Sequence, residues 1–163
     1  MNYFMGVQAI CQPLCFTNVM RTRIVTIPTM HQIFVYGTLL PGLCRHDAMQ
    51  GSRSLGKGTI AGLLYNLGPY PAVVHGDGKV WGEVFEVDDE VLAKLDGIEA
   101  FYPQAPADKS EYIREEVVVH LSKADTTISA WFYRFNRSVA DKHLIEHGDY
   151  LKFLAETGYV PHT

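Results

Sequence analysis

The sequence predicts an α+β fold, a small mixed, mainly antiparallel β-barrel with flanking helices. Three observations predict it. About six short apolar, β-branched or aromatic runs are spread along the chain, each of strand length. Several are separated by Gly, Pro and Asp breaks that resemble hairpin turns, without regular βαβ alternation. The few helical patterns fall between or after the strands, so the helices would lie outside the sheet.

The first strand is Ile33-Phe34-Val35-Tyr36, within the stretch HQIFVYGTLLPG, and it breaks at Gly37-Thr38. Gly37 would allow backbone angles that a Cβ forbids. A loop of that kind can aim several N–H groups into one hollow, a seat for a carboxylate or an oxyanion. Pro41–Gln50 reads as irregular or briefly helical. Gly58–Leu67 reads as a second strand, and Gly68-Pro69-Tyr70-Pro71 as a rigid break. Ala72–His75 is a short strand, His75-Gly76-Asp77-Gly78 a hairpin turn, and Lys79–Val87 a strong strand. Its alternation places Trp81, Glu83, Phe85 and Val87 on one face and Val80, Gly82, Val84 and Glu86 on the other. Asp88 is an N-cap for a helix over Asp89–Leu95, with Gly97 as its stop and Glu99 just beyond. Phe101–Ser110 is a Pro-containing loop, and Tyr112–Leu121 and Thr126–Phe135 are two further strands. Asp149 caps a last helix through Thr157, with Tyr150, Phe153 and Leu154 on one face and Gly158 closing it.

Composition excludes several classes of function. The 163 residues suit one domain with a real core, and 47% hydrophobic with 20% charged residues is ordinary for a globular chain. A net charge of -4 argues against a nucleic-acid partner, which needs a basic face. No apolar run is long enough to span a bilayer, so no membrane partner is expected. Cys11, Cys15 and Cys44 are too few and too scattered for a disulfide framework, which fits a reducing compartment and a cytoplasmic location. The oligomeric state is not legible. Residues 1–30 differ from the rest: no Asp or Glu precedes Asp47, and no clean period runs through them. They lack the basic start and compact apolar run of a signal peptide. They are read as an N-terminal extension, an upstream start or tail, ahead of a domain over residues 31–163.

Three motif matches are set aside. Gly51-Ser52-Arg53-Ser54-Leu55-Gly56-Lys57 imitates a phosphate-binding loop, but Gly58 stands where the metal-binding hydroxyl belongs. His143-Leu144-Ile145-Glu146-His147 has zinc-protease spacing, but Gly148 and Asp149 follow at once, which favours a solvated turn. Cys44-Arg45-His46 pairs a thiol with an imidazole, yet no third orienting residue is evident. Glu99 is the favoured carboxylate. It sits among Leu95, Ile98 and Phe101 at an element end, where desolvation can raise its pKa toward that of a general base at neutral pH. Glu83 shares a strand face with Trp81 and Phe85. If that face is inward it needs a partner, for which Arg114 is the best candidate.

Taken together, FVYGTL, then GEVFEV-D, then LDGIE, then Y-x-R-x-x-V-x-V, in this order, resemble the γ-glutamylcyclotransferase-like family, which includes the γ-glutamylamine cyclotransferases. The resemblance covers the chain from about His31 to the C-terminal helix. It implies a small β-barrel with flanking helices. It implies that Tyr36, Gly37, Thr38 and Leu39 bind the γ-glutamyl part of the substrate, and that Glu99 is the catalytic acid/base. Ala100 stands where many relatives have Gly. The implied reaction is attack of the substrate's own α-amine on its γ-carbonyl, releasing 5-oxoproline and an amine or amino acid. The nucleophile belongs to the substrate, so neither a cofactor nor a metal is called for. Tyr112 and Tyr133 are candidate substrate-binding wall residues. The competing readings are a non-catalytic module holding a small molecule or a protein on the same barrel, another acyl chemistry, and a zinc hydrolase through His143 and His147.

Overall fold

The computed structural model describes residues 28–161. The expected extension at residues 1–30 therefore lies almost wholly outside the described residues. The first strand, β1 (Met30–Val35), begins within three residues of the first described position. A 3-10 turn at His46–Met49 follows, then β2 (Arg53–Asn66), β3 (Pro71–Asp88), α1 (Asp89–Ile98), β4 (Tyr112–Leu121), β5 (Thr126–Phe135), β6 (His143–Leu144) and α2 (Tyr150–Thr157). Among the described residues, no helix is long and apolar enough to cross a membrane.

The sheet runs β3-β1-β5-β4-β2-β6, and β2 also pairs with β3. The pairings thus run round a ring of five strands. Two seams in it are thin: Ile33 opposite Trp131 in the parallel β1–β5 pair, and Gly58 and Thr59 opposite Leu121 and His120 in β2–β4. The result is a curled, mainly antiparallel sheet, a barrel only partly closed. Strand β1 is central, and its alternation feeds two cores. Ile33 and Val35 pack with Phe85, Val87, Leu92 and Leu95, the last two from α1. Phe34 and Tyr36 pack with Val80, Val84, Phe132 and the α2 residues Tyr150 and Phe153. Each helix therefore seals one core.

The region expected to hold two strands and a turn at His75–Gly78 is instead one strand, β3. The hairpin turn lies earlier, at Leu67–Tyr70, where the Leu67 N–H donates to the Tyr70 carbonyl at 3.1 Å. Opposite β2, the register jumps from Ala61–Lys79 to Leu63–Val74, so residues 75–78 are an insertion within a paired strand. Their glycines serve close approach: a Cβ on Gly76 would stand 2.5 Å from Leu63 Cγ, and one on Gly78 2.6 Å from the Gly62 carbonyl.

The two faces of β3 are sorted by what covers them. Val80 and Val84 are fully buried, whereas Trp81 on the other face is 41% exposed. Further along that same face, Phe85 and Val87 are buried because α1 lies over them. Glu83 is half-buried and accepts a hydrogen bond from the Ser54 hydroxyl, not from Arg114. Arg114 pairs with Asp96 instead.

Helix α1 starts as expected, with the Asp88 carboxylate accepting from the Val91 N–H at 2.8 Å. It does not stop at Gly97. It runs to Ile98 with Glu99 as its C-cap, and the left-handed residue is Ala100, at φ 46°. Helix α2 has the expected Asp149 cap and ends on Gly158 at φ 65°.

Candidate active site

The site is built where β1 ends. The loop after Val35 folds on itself through its carbonyl groups. The Leu40 N–H donates to the Gly37 carbonyl at 2.9 Å, and the Arg45 N–H donates to the Thr38 carbonyl at 3.1 Å. The His46 ring Nδ1 lies 2.8 Å from the Leu39 carbonyl and donates to it. Three consecutive carbonyls are thus occupied. Among the described residues, no acceptor is found for the N–H groups of Gly37, Thr38 and Leu39. Successive backbone N–H groups without an internal acceptor are the kind of donors from which anion-binding concavities are built. Gly37 is glycine for a different reason from the one expected: a Cβ there would come 2.6 Å from the Pro71 ring, so close approach and not a left-handed backbone requires it.

This loop lines a small cavity, whose empty space counted out into open solvent is about 360 Å³. Tyr36, Gly37, Thr38, Leu39, Tyr112, Tyr133 and Glu99, the seven residues singled out from the sequence, all line it. Glu99 arrives from the C-cap of α1, while Tyr112 and Tyr133 come from β4 and β5. Arg45, Tyr70 and Pro71 also line it and were not singled out for this role.

Burial pushes the Glu99 carboxyl from its ordinary 4.5 up to about 7. The Arg45 guanidinium pulls it down and the Glu111 carboxylate pushes it up, both more weakly than burial. A carboxyl poised near neutrality exists in both protonation states, as proton transfer in two directions requires.

The walls are fixed by hydrogen bonds that hold each phenol in place. The Tyr36 hydroxyl donates to the Tyr133 carbonyl at 2.6 Å, and the Tyr112 hydroxyl donates to the Pro71 carbonyl at 3.0 Å. The Tyr133 hydroxyl donates to Asp96 Oδ1 at 2.7 Å. Asp96 also receives Arg114 Nη1, at 2.9 Å and 2.8 Å to its two oxygens. The Arg114 guanidinium lies between the Phe101 and Trp131 rings, 5.4 Å from each centroid. Burial pushes all three phenols far above the usual tyrosine range, so they stay neutral. Asp96 stands three residues before Glu99 and ties the end of α1 to β4 and β5. At the mouth, the Arg45 guanidinium sits 5.5 Å from the Tyr70 ring centroid, and the Tyr70 hydroxyl donates to Glu111 at 2.7 Å.

The motifs set aside from the sequence have structural occupations. His147 Nδ1 accepts from the Asp149 N–H at 3.1 Å, and its Nε2 lies 3.3 Å from Glu156. Among the described residues, no group of three or more His, Cys, Asp or Glu is placed to hold a metal ion. Cys44 is exposed, and His46 beside it supports the loop.

Residues 33–152 match the model of the family described as gamma-glutamyl cyclotransferase, AIG2-like. The chain is 36% identical over 121 residues to the gamma-glutamylcyclotransferase family protein YtfP of Escherichia coli, covering 74% of this chain and 96% of that one. It is 32% identical over 124 residues to the gamma-L-glutamyl-butirosin B gamma-glutamyl cyclotransferase of Niallia circulans, covering 75% of each. Among solved structures, the protein PH0828 of Pyrococcus horikoshii superposes with a TM-score of 0.63 at 27% identity, over 81% of this chain and 99% of that one. An AIG2-like protein of Mus musculus superposes with a TM-score of 0.61 at 26% identity, over 74% of this chain and 88% of that one. Both the sequence match and the shared fold span the cavity and its walls, and the chain therefore belongs to the gamma-glutamyl cyclotransferase, AIG2-like family, a family of cyclotransferase-type enzymes.

Proposed function

We propose that the protein releases 5-oxoproline from a γ-glutamyl amine or γ-glutamyl amino acid, with Glu99 as the general acid/base. The observation that carries this reading is one cavity lined by both a raised carboxyl and the three residues whose backbone N–H groups are unclaimed. A γ-glutamyl amide carries its own nucleophile, the α-amine. The cavity has to curl the glutamyl chain so that this nitrogen meets the γ-carbonyl carbon. Such positioning is worth up to roughly 7–11 kcal/mol, the largest contribution available here.

The new bond joins the α-nitrogen to the γ-carbon, and the bond from that carbon to the departing nitrogen breaks. The α-ammonium loses two protons and the departing nitrogen gains two, so the reaction balances without water. Glu99 takes the two protons in turn from the first nitrogen and delivers each to the second, for about 10²–10⁴-fold in rate. The N–H groups of Gly37, Thr38 and Leu39 receive the substrate's α-carboxylate or the oxyanion that develops on the γ-carbonyl. One oxyanion donor is worth roughly 3–4 kcal/mol. Tyr36, Tyr112 and Tyr133 wall the cavity as neutral phenols. The test is a panel of γ-glutamyl amines and γ-glutamyl dipeptides, with product detection by mass spectrometry. The reading expects 5-oxoproline and the freed amine in equal amounts. Hydrolysis to glutamate, or no product from any member, would overturn it. The free, exposed Cys44 fits a reducing compartment, and we place the protein in the cytoplasm. Recovery in an extracytoplasmic fraction would contradict that placement.

A further inference from the structure

Glu99 sits in a tight turn whose two ends are Asp96 and Phe101. The Phe101 N–H donates to the Asp96 carbonyl at 2.9 Å and closes residues 97–100 between them. Inside the turn, the Glu99 N–H donates to the Leu95 carbonyl at 2.9 Å, and Ala100 holds a left-handed backbone at φ 46°. A residue with a Cβ is unfavourable in that conformation, which persists only where the surroundings hold it.

Arg114, on β4, grips both ends of this turn. Its Nη1 donates to the two Asp96 carboxylate oxygens at 2.9 Å and 2.8 Å, and its guanidinium lies 5.4 Å from the Phe101 ring centroid. The Trp131 ring covers the guanidinium as well, at the same distance. Tyr133, opposite Arg114 in the β4–β5 register, donates its hydroxyl to the same Asp96 carboxylate. The Arg114 and Asp96 side chains are 20% and 16% exposed, so water screens their attraction only in part. Neither of them lines the cavity, whereas Glu99 and Tyr133 do.

We infer that Arg114 is a positioning residue, which clamps the Asp96–Phe101 turn against the sheet and so aims the Glu99 carboxyl into the cavity. The inference rests on the reading of Glu99 as the acid/base. Arg114 reaches the two ends by different physics, an ion pair at Asp96 and a ring face at Phe101. The Glu99 side chain hangs from the backbone between them. A shielded ion pair adds little net stability, but it admits one geometry. Proton transfer needs that geometry, because the carboxyl has to reach both nitrogens, and a misplacement of about 1 Å can cost roughly 10²-fold in rate. A slack turn lets the carboxyl swing toward the mouth, where water solvates its charge.

The test follows 5-oxoproline release from one accepted γ-glutamyl substrate, as kcat, KM and the pH profile of kcat/KM. It compares the full chain with Arg114→Lys, Phe101→Leu and, as a control, Arg134→Lys. Lys keeps the charge of Arg114 but has no planar group to fill the slot between the two rings. Phe101→Leu leaves the Arg114–Asp96 pair in place and removes the ring face. Arg134 donates to Glu115 and to the Phe135 carbonyl, neither of them in the turn. Arg114→Lys should lower kcat by about ten- to a hundredfold with KM nearly unchanged, and Phe101→Leu should lower it by a smaller factor. In both, the midpoint should fall from about 7 toward 4.5, as the freed carboxyl gains water. The Arg45 and Glu111 charges that also bear on Glu99 are present in every variant, and Arg134→Lys should move neither readout. A residue that only stabilised the fold would change the melting temperature and leave the midpoint in place. If Arg114→Lys does not fold, Phe101→Leu decides. A parental kcat or an unmoved midpoint in the folded variants overturns the positioning role and leaves Glu99 as the acid/base. No 5-oxoproline from the parent overturns the acid/base reading and this inference with it.

Discussion

Replacing Glu99 by Gln should stabilise the fold, and only above a certain pH. Burial holds this carboxyl at about 7 against an ordinary 4.5. A group with a raised folded-state value binds its proton more tightly when folded. Its stabilising contribution is complete below 4.5 and is lost as the pH rises through about 7. At roughly 1.4 kcal/mol per pH unit, the ionised carboxyl costs about 3 kcal/mol at mildly alkaline pH. Gln resembles the protonated form in shape and charge, so it removes this cost. Urea unfolding of the parent and Glu99→Gln, followed by Trp and Tyr fluorescence from about pH 4 to pH 8.5, reads the difference directly. The other carboxylates and histidines titrate in both proteins and cancel. The variant should match the parent near pH 4 and gain up to about 3 kcal/mol at the alkaline end. A difference that stays constant with pH, or a variant less stable than the parent at high pH, would refute the argument that burial dominates at Glu99.

Other perturbations follow from the same geometry. The pH profile of kcat/KM should rise through about 7; Arg45→Gln should move the midpoint up and Glu111→Gln should move it down, since the first charge lowers the Glu99 value and the second raises it. Midpoints insensitive to both would separate the profile from Glu99. Gly37→Val should raise KM at least tenfold by driving a side chain into the Pro71 ring and displacing the N–H donors, with only a modest loss of melting temperature. An unchanged KM would make the loop structural only. Ala100→Gly should stabilise the protein by about 1 kcal/mol, because Ala100 holds a left-handed backbone at φ 46° that Gly adopts without strain. Thermal unfolding that shows no gain would place the backbone elsewhere in solution.

What could be read from the sequence followed the range of the signal. Tyr112–Leu121 and Thr126–Phe135 were legible to the residue, because each is an unbroken run of β-formers bounded by turn residues. Asp88, Asp149 and Gly158 were legible because a cap acts within its own helical turn. Gly76 and Gly78 misled because turn chemistry and close packing use the same residue. Only the facing Leu63, more than ten positions away, distinguishes them. Gly37 hides the same ambiguity, resolved by Pro71. Gly97 read as a helix stop, but α1 packs Leu92 and Leu95 into the core and extends until Ala100 makes the turn.

The cavity itself followed a similar division. The loop and Glu99 stood in local motifs, and the structure brings both to one hollow. Arg45 stood only as the spacer in the Cys44-Arg45-His46 match that was set aside. Its place depends on its own N–H bonding back to Thr38, which a linear reading does not reveal. Tyr70 and Pro71 read as a rigid break, and they are one; that they also wall the cavity follows from the hairpin that brings Pro71 against Gly37.

The central claim, that Glu99 moves the proton in 5-oxoproline release, is tested most directly by following that product from one accepted γ-glutamyl substrate with the parent and Glu99→Gln side by side. The account expects the variant, folded and at saturating substrate, to lose at least 10²-fold in kcat. Turnover at the parental rate would contradict it.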